Sequence, residues 1–270
     1  VFRYRPENTR RFSYIFRDYK SGLEAMREMS QGEFGMPSVF RLSDPEETEV
    51  GVKLYGLEGT VIDTLLRARG YQPNERCLLL DTADGDAGFT RLVARRVRRI
   101  AKKYGAMSTT SYVTKKWEHG RFMDPYLRED LQDYGVIIDT LECAVSWDRL
   151  EDVWREVRAF CKSRPHTICM SHSSHSYPQG TNLYFIFIAK MDGEEYLEYQ
   201  PKIIDHICKT GAALSRHHGI GRMLAPWYEE SLGKNELELL RAIKRHLDPA
   251  NILSPGGTLA LDLPEEEKRN

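Results

Sequence analysis

Three consecutive runs decide the fold: Thr167-Ile-Cys-Met-Ser-His-Ser-Ser-His-Ser-Tyr177, then Pro178-Gln-Gly-Thr181, then Asn182-Leu-Tyr-Phe-Ile-Phe-Ile-Ala-Lys-Met191. The first and last are strand-length, and the last is rich in β-branched and aromatic residues. The middle four have the composition of a turn. Together they predict a β-hairpin, and a hairpin requires an antiparallel sheet rather than a doubly wound parallel one. Immediately before it, Val136 to Val145 reads as a strand. Trp147 to Cys161 reads as a helix with Leu150, Val153, Trp154 and Val157 facing inward. Immediately after it, Tyr196 to Thr210 is helical, with Pro201 marking a kink or the true helix start, and Ala212 to Ser215 is extended. The order of these elements is β-α-β-β-α-β.

The N-terminal half reads similarly. Phe12, Tyr14 and Phe16 alternate with Ser13 and Ile15 as in a strand. Ser21-Gly22-Leu23-Glu24 has the form of a capping box opening a helix through Met29. Ser38 to Leu42 is a strand carrying Arg41 in apolar company. Asp44-Pro45 is an N-cap followed by proline at the first helical position. Arg76 to Thr82 is a strand and Ala87 to Tyr104 a long helix. Its seven basic residues leave an apolar stripe of Leu92, Val93, Val97, Ile100 and Ala101, so the charges form a solvated outer face. Ser108 to Met123 reads as a long polar loop, followed by a short helix from Asp124 and, at the end of the chain, two more helices closing at Leu247. The class predicted is α+β: antiparallel strands with helices on one face, and a split-βαβ unit that can occur twice.

Composition narrows the function. Of 270 residues, 41% are hydrophobic and 29% charged, and the net charge is −1. This describes a globular protein with no bias toward nucleic acid. No apolar run reaches the roughly 20 residues of a membrane span, and five cysteines without a C-x-x-C pair suggest reduced thiols and a cytoplasmic setting. No G-x-G-x-x-G follows a strand and no G-K-S/T phosphate loop is present, so the chain is not expected to cradle a dinucleotide itself. It opens Val1-Phe2-Arg3-Tyr4-Arg5-Pro6, without Met, and is expected to be the C-terminal part of something longer.

The chemistry concentrates in Leu214-Ser-Arg-His-His-Gly-Ile-Gly-Arg222. His217 and His218 offer proton transfer near neutral pH, Arg216 and Arg222 offer cations for an anion, and Gly219 and Gly221 let the backbone approach a ligand. Arg41, Arg128 and Tyr184 add guanidinium forks and a phenol.

That loop, with Leu247-Asp-Pro-Ala-Asn-Ile-Leu-Ser-Pro-Gly256, resembles the C-terminal region of FAD-linked oxidases of the vanillyl-alcohol-oxidase type, and within them the alkyldihydroxyacetonephosphate synthase branch. Ser38-Val-Phe-Arg-Leu-Ser-Asp44, Tyr126-Leu-Arg128 through Ser146-Trp-Asp-Arg-Leu150, and Leu183-Tyr-Phe-Ile-Phe187 extend the resemblance from Val1 to about Gly256. It implies a ferredoxin-like cap domain over 1–256 with a tail over 257–270. FAD would be held mainly by the chain's own N-terminal domain, which lies outside this sequence. The substrate implied is a lipid-like phosphorylated ketone on which a fatty acyl group is exchanged for a fatty alkyl group. Tyr184, His217 and His218 would be catalytic, Arg128, Arg41 and Arg216 would address substrate, and Gly219 and Gly221 would approach the flavin. The synthase branch carries three successive histidines, and Arg216 stands in place of the first.

A second branch, the D-2-hydroxyacid dehydrogenases, shares the Gly-Ile-Gly and Asp-Pro signatures but carries a metal. Its ligand positions correspond to Tyr177, Tyr184 and His217 here, a poor donor set for a divalent ion, and His172 and His175 are the remaining candidates. No metal is expected. A non-catalytic α+β binding module is the third reading, and the sequence leaves room for a homodimer.

Overall fold

The structure, a computed structural model, describes residues 5–257. The first unit runs β1 (Asn8–Phe16), α1 (Tyr19–Ser30), β2 (Val39–Ser43), α2 (Pro45–Leu54), α3 (Val61–Ala68), β3 (Cys77–Gly85), α4 (Ala87–Lys103) and β4 (Met107–Ser108). Two helices, α5 (Ser111–Gly120) and α6 (Asp124–Gln132), bridge to the second unit. This unit comprises β5 (Val136–Ser146), α7 (Leu150–Ser163), β6 (Ile168–Ser174), β7 (Gly180–Lys190), α8 (Gly193–Lys209) and β8 (Ala213–Leu214). α9 (Ala225–Ser231) and α10 (Lys234–Leu247) follow.

The eight strands of the described residues form one antiparallel sheet, in the order β4-β1-β3-β2-β6-β7-β5-β8. Each half repeats the pattern fourth-first-third-second, so the split-βαβ unit does occur twice. The two copies meet edge to edge at β2 and β6, with Leu42 opposite Ser173, Arg41 opposite Ser174 and Ser43 opposite His172.

Alternation along the strands sorts the side chains. Phe16, Leu42, Leu79, Leu183, Phe185 and Phe187 point to one face and are buried under α1, α4, α7 and α8 in one continuous core. Each such large side chain contributes about 1.5–3 kcal/mol. The opposite face carries His172, Tyr184 and Glu142, directly paired across β6, β7 and β5, and Arg41 of β2, which lies opposite Ser174, two residues along from His172.

Several local expectations are corrected. The cap of α1 is Asp18, whose Oδ1 accepts from the Ser21 amide at 2.7 Å, and Ser21 is not the cap. α8 begins after its N-cap Asp192 and runs through Pro201, which is therefore not its start. The segment expected as a loop from Ser108 folds into α5, which crosses the polar face of the first unit. There Thr114 donates to the Phe12 carbonyl at 3.0 Å, Glu118 pairs with Arg11 at 2.5 Å, and Trp117 lies 5.7 Å from Arg41. Of the tail over 257–270, residues from 258 on lie outside the described residues, as do Val1 to Tyr4.

Among the buried polar residues is a carboxyl on the core side of the sheet. Asp81, paired across the sheet with Phe12 and Phe40, is fully buried, and neither carboxyl oxygen has a hydrogen-bond partner among the described residues. Burial pushes its pKa well above the carboxylate range, so it is held neutral. Because the folded pKa lies above the unfolded one, stability is greatest below the unfolded value near pH 4 and falls as pH rises past it. Asp81→Asn is expected to match the native chain near pH 4 and to be more stable at pH 7, the gap growing by about 1.4 kcal/mol per pH unit. Urea melts across that range check this; a gap independent of pH would show the carboxyl to be solvated or paired.

Candidate active site

The polar face of the second unit carries a connected group of side chains. Tyr184, at the centre of β7, is 5% exposed. Its hydroxyl lies 2.9 Å from His175 Nδ1. Its ring stacks on His172 with centroids 4.7 Å apart and planes 10° apart. Burial, and then the Glu142 charge, push the phenol up to about 12. Burial, and then His217, hold His175 below the ordinary imidazole range. A neutral phenol therefore donates to a neutral imidazole.

His172 continues the chain toward the first unit. Its Nδ1 lies 3.0 Å from Glu47 Oε1, which also accepts from Arg41 Nη2 at 2.8 Å. Burial opposes the ionisation of Glu47, but Arg41 and His172 outweigh it and hold the carboxyl at about 2. Arg41 thus reaches the face across the β2–β6 seam with part of its charge already matched. Its buried Nε has no partner among the described residues.

The histidine loop enters from β8. Ser215 takes a positive φ of 43° and its hydroxyl donates to the Gly219 carbonyl at 2.9 Å. Gly219 and Gly221 adopt φ of 81° and 57°, conformations that favour glycine. The turn delivers both histidines to Glu142 of β5. Its carboxylate accepts the His217 amide at 3.0 Å and the His218 amide at 2.8 Å. The rings then fan out: His217 lies 4.3 Å from His175 between centroids, and His218 5.2 Å from Tyr184. His217 Nε2 lies 3.1 Å from the Tyr177 hydroxyl, and Arg216 sits 4.9 Å over the Tyr177 ring.

The structure therefore brings together Tyr184, His217, His218, Arg216, Gly219 and Gly221, with Arg41 at the margin. Arg128 stands apart: it is exposed on α6, Tyr196 is an electrostatic neighbour, and among the described residues no hydrogen bond, ion pair or ring contact joins it to the cluster. His172 and His175, the remaining metal-ligand candidates of the sequence, both lie against Tyr184, His172 stacked on its ring and His175 at its hydroxyl. Among the described residues no three His, Cys, Asp or Glu side chains converge to hold a metal ion. Glu142, Asn182 and Glu47 escaped the sequence reading. Glu142 left one signal, a carboxylate set between Leu141 and Cys143 in a largely apolar strand.

The donor set suits the reacting edge of a planar redox cofactor: a phenol, four imidazoles and a flanking guanidinium on one open sheet face. It does not suit a pyrophosphate. The cavity under the histidine loop, between Thr140, Ile204, Ile207 and Leu224, holds about 240 Å³. That is below the size of ordinary small-molecule sites. No helix of the described residues is long and apolar enough to cross a membrane.

Comparison with known proteins bears on the fold and the family. The model of the family "FAD linked oxidases, C-terminal domain" matches residues 5–258. Alkyldihydroxyacetonephosphate synthase of Dictyostelium discoideum is 28% identical over 268 residues, covering 93% of this chain and 44% of the relative. A solved structure of an alkyldihydroxyacetonephosphate synthase superposes with a TM-score of 0.75 at 24% identity, over 93% of this chain and 45% of that one. D-lactate dehydrogenase of Archaeoglobus fulgidus is 25% identical, over only 60% of this chain and 36% of that protein. The chain spans less than half the length of these relatives.

Proposed function

Since this chain belongs to the FAD-linked oxidase C-terminal domain family, we propose that it is the substrate-side domain of a flavin enzyme of the alkyldihydroxyacetonephosphate synthase kind. In this reading it works with an N-terminal FAD domain and exchanges an acyl for an alkyl group on a phosphorylated ketone. The observation that carries the reading is the buried Tyr184 hydroxyl on His175, at the centre of an open face rimmed by His217 and His218. A flavin seated against this face would supply the carrier chemistry. The residues of this chain supply proton transfer: Tyr184 as donor, His175 as its acceptor, and the stacked His172 and neighbouring His218 as walls that exclude water. Arg216 is the cation best placed for a phosphate, since its guanidinium is exposed on the loop rather than paired with a carboxylate. Arg41 balances Glu47, and Arg128 would reach substrate only from the α6 side.

The hydroxyacid-dehydrogenase alternative has less support. Its metal would sit at Tyr177, Tyr184 and His217, and here Tyr177 and His217 are hydrogen-bonded to each other.

Two measurements test the proposal. The chain purified alone is expected to be colourless, because it offers no pyrophosphate cradle; a flavin absorbance band would contradict that. Joined to its flavin domain, it is expected to convert an acyl ester of dihydroxyacetone phosphate and a long-chain alcohol into the ether. Turnover of 2-hydroxyacids with dye reduction, and no ether product, would replace the proposal with the dehydrogenase reading.

A further inference from the structure

The Glu142 carboxylate does more than cap the histidine loop. It lies on the polar sheet face, 4% exposed, directly across from Tyr184 in the β5–β7 ladder. Besides the two loop amides, Oε1 receives two further groups: Asn182 Nδ2 in a close contact, and His217 Nδ1 at 2.9 Å. Asn182 Nδ2 is itself 2.6 Å from His217 Nδ1. At the far end of the ring, Nε2 meets the Tyr177 hydroxyl, and Tyr177 is 38% exposed.

A neutral His217 has two ways to fill these contacts. With the proton on Nε2, the Nδ1 lone pair accepts from Asn182 but also faces a carboxylate oxygen 2.9 Å away. With the proton on Nδ1, that proton is donated to Glu142, Asn182 Nδ2 donates to the same carboxylate, and Nε2 accepts from Tyr177. Only the second arrangement avoids setting a lone pair against an anion; in it Nδ1–H and the Asn182 Nδ2 group, 2.6 Å apart, are both donors that share the one acceptor Oε1. Burial opposes the ionisation of Glu142, but the His217 and His218 amides and the His217 ring outweigh it and hold the carboxyl below its usual range. The anion that the second arrangement needs is therefore present at neutral pH.

We propose that Glu142 is a positioning residue: it fixes His217 in the Nδ1–H tautomer and so presents Nε2 as a proton acceptor at the Tyr177 hydroxyl, on the open side of the site. This gives the face a second proton-handling unit, Glu142–His217–Tyr177, beside Tyr184–His175. The carboxylate–imidazole–hydroxyl order is one that suits an imidazole to act as a base. The tautomer itself does not depend on the flavin reading, although its use in turnover rests on it.

The experiment is nitrogen-15 NMR of histidine-labelled chain at pH 8, without flavin, so its failure is separable from failure of the proposed reaction. His217 is expected as Nδ1–H with an unprotonated Nε2. Glu142→Gln is expected to abolish that preference and to speed amide exchange at His217 and His218 on the order of 10-fold or more. Tyr177→Phe, which leaves Glu142 in place, should keep the Nδ1–H tautomer. If Glu142→Gln fails to fold, the native and Tyr177→Phe spectra still decide. A native His217 that is mainly Nε2–H overturns the proposal, as does a tautomer that follows Tyr177 or survives unchanged in Glu142→Gln.

Discussion

Tyr184→Phe is expected to lower turnover of the flavin-bearing enzyme on the order of 10²-fold or more while leaving the fold and flavin binding intact. The ring is 5% exposed and stacks on His172, and phenylalanine preserves both features. What disappears is the proton that the hydroxyl donates to His175 at 2.9 Å. With its pKa pushed up to about 12, the phenol is a donor throughout the neutral range and acts as a base only if its anion is stabilised on binding. The sequence alone supplies Arg128, His217 and His218 as the cationic or ionisable groups that could provide that stabilisation. The geometry changes the pairing: Glu142 is the charge that Tyr184 feels and His175 is the group it bonds, while His218 offers a ring at 5.2 Å. His175→Ala should therefore cost nearly as much as Tyr184→Phe, and the two losses should not add, because they break one proton path. His218→Ala should cost less. Steady-state kinetics of these three variants and of the Tyr184→Phe, His175→Ala double variant decide the point. Full turnover in Tyr184→Phe would make the tyrosine packing alone and leave acid–base work to the imidazoles.

The contrast between the legible and illegible parts of the chain has physical causes. The apolar run of β7 follows a proline-glycine turn after the strand-length β6, and Asp44-Pro45 is a cap with a mechanism, so these read directly. α5 did not, because Ser111-Tyr-Val-Thr-Lys-Lys-Trp117 is poor in strong helix formers and Thr110 makes no side-chain cap bond. Its helix is set by tertiary docking through Thr114 and Trp117. α3 did leave a signal, Thr60 with Asp63 three residues on, but its exposed Val61, Ile62 and Leu65 supply no buried stripe to confirm it. At the site, adjacent histidines with glycines are visible as a motif. The residues that aim them are not, since His175, Glu142 and Asn182 become neighbours of the loop only through β6–β7–β5 pairing. A register shift of one residue would have turned them to the other face.

Arg76→Ala is expected to destabilise the chain by about 3–5 kcal/mol, the usual loss when one partner of a buried ion group is removed. Arg76 enters β3 fully buried. Its Nε donates to Glu49 Oε1 at 2.7 Å, its Nη1 to Asp63 Oδ1 at 2.7 Å and its Nη2 to Glu49 Oε2 at 3.3 Å. Glu49 belongs to α2 and Asp63 to α3, so one guanidinium pins both inserted helices to the sheet. Burial opposes the ionisation of Asp63, but Arg76, and then Arg67 at 2.7 Å, hold it at about 2. A carboxylate with a lowered folded pKa contributes stability that is fully present above the unfolded value near 4 and is lost as pH falls toward 2. The deficit of Arg76→Ala should accordingly be largest at neutral pH and shrink between pH 4 and pH 2. Replacing all three members, as Arg76→Met with Glu49→Leu and Asp63→Leu, should recover most of the loss, because no unpaired charge then remains buried. The consequence reaches the active site, since α2 also carries Glu47, which holds Arg41 and His172 in place behind Tyr184. Urea denaturation of the single and triple variants at pH 7 and pH 3 measures the effect. A loss below about 1 kcal/mol at pH 7 would mean that water already reaches the triad and that α2 is held by its apolar contacts alone.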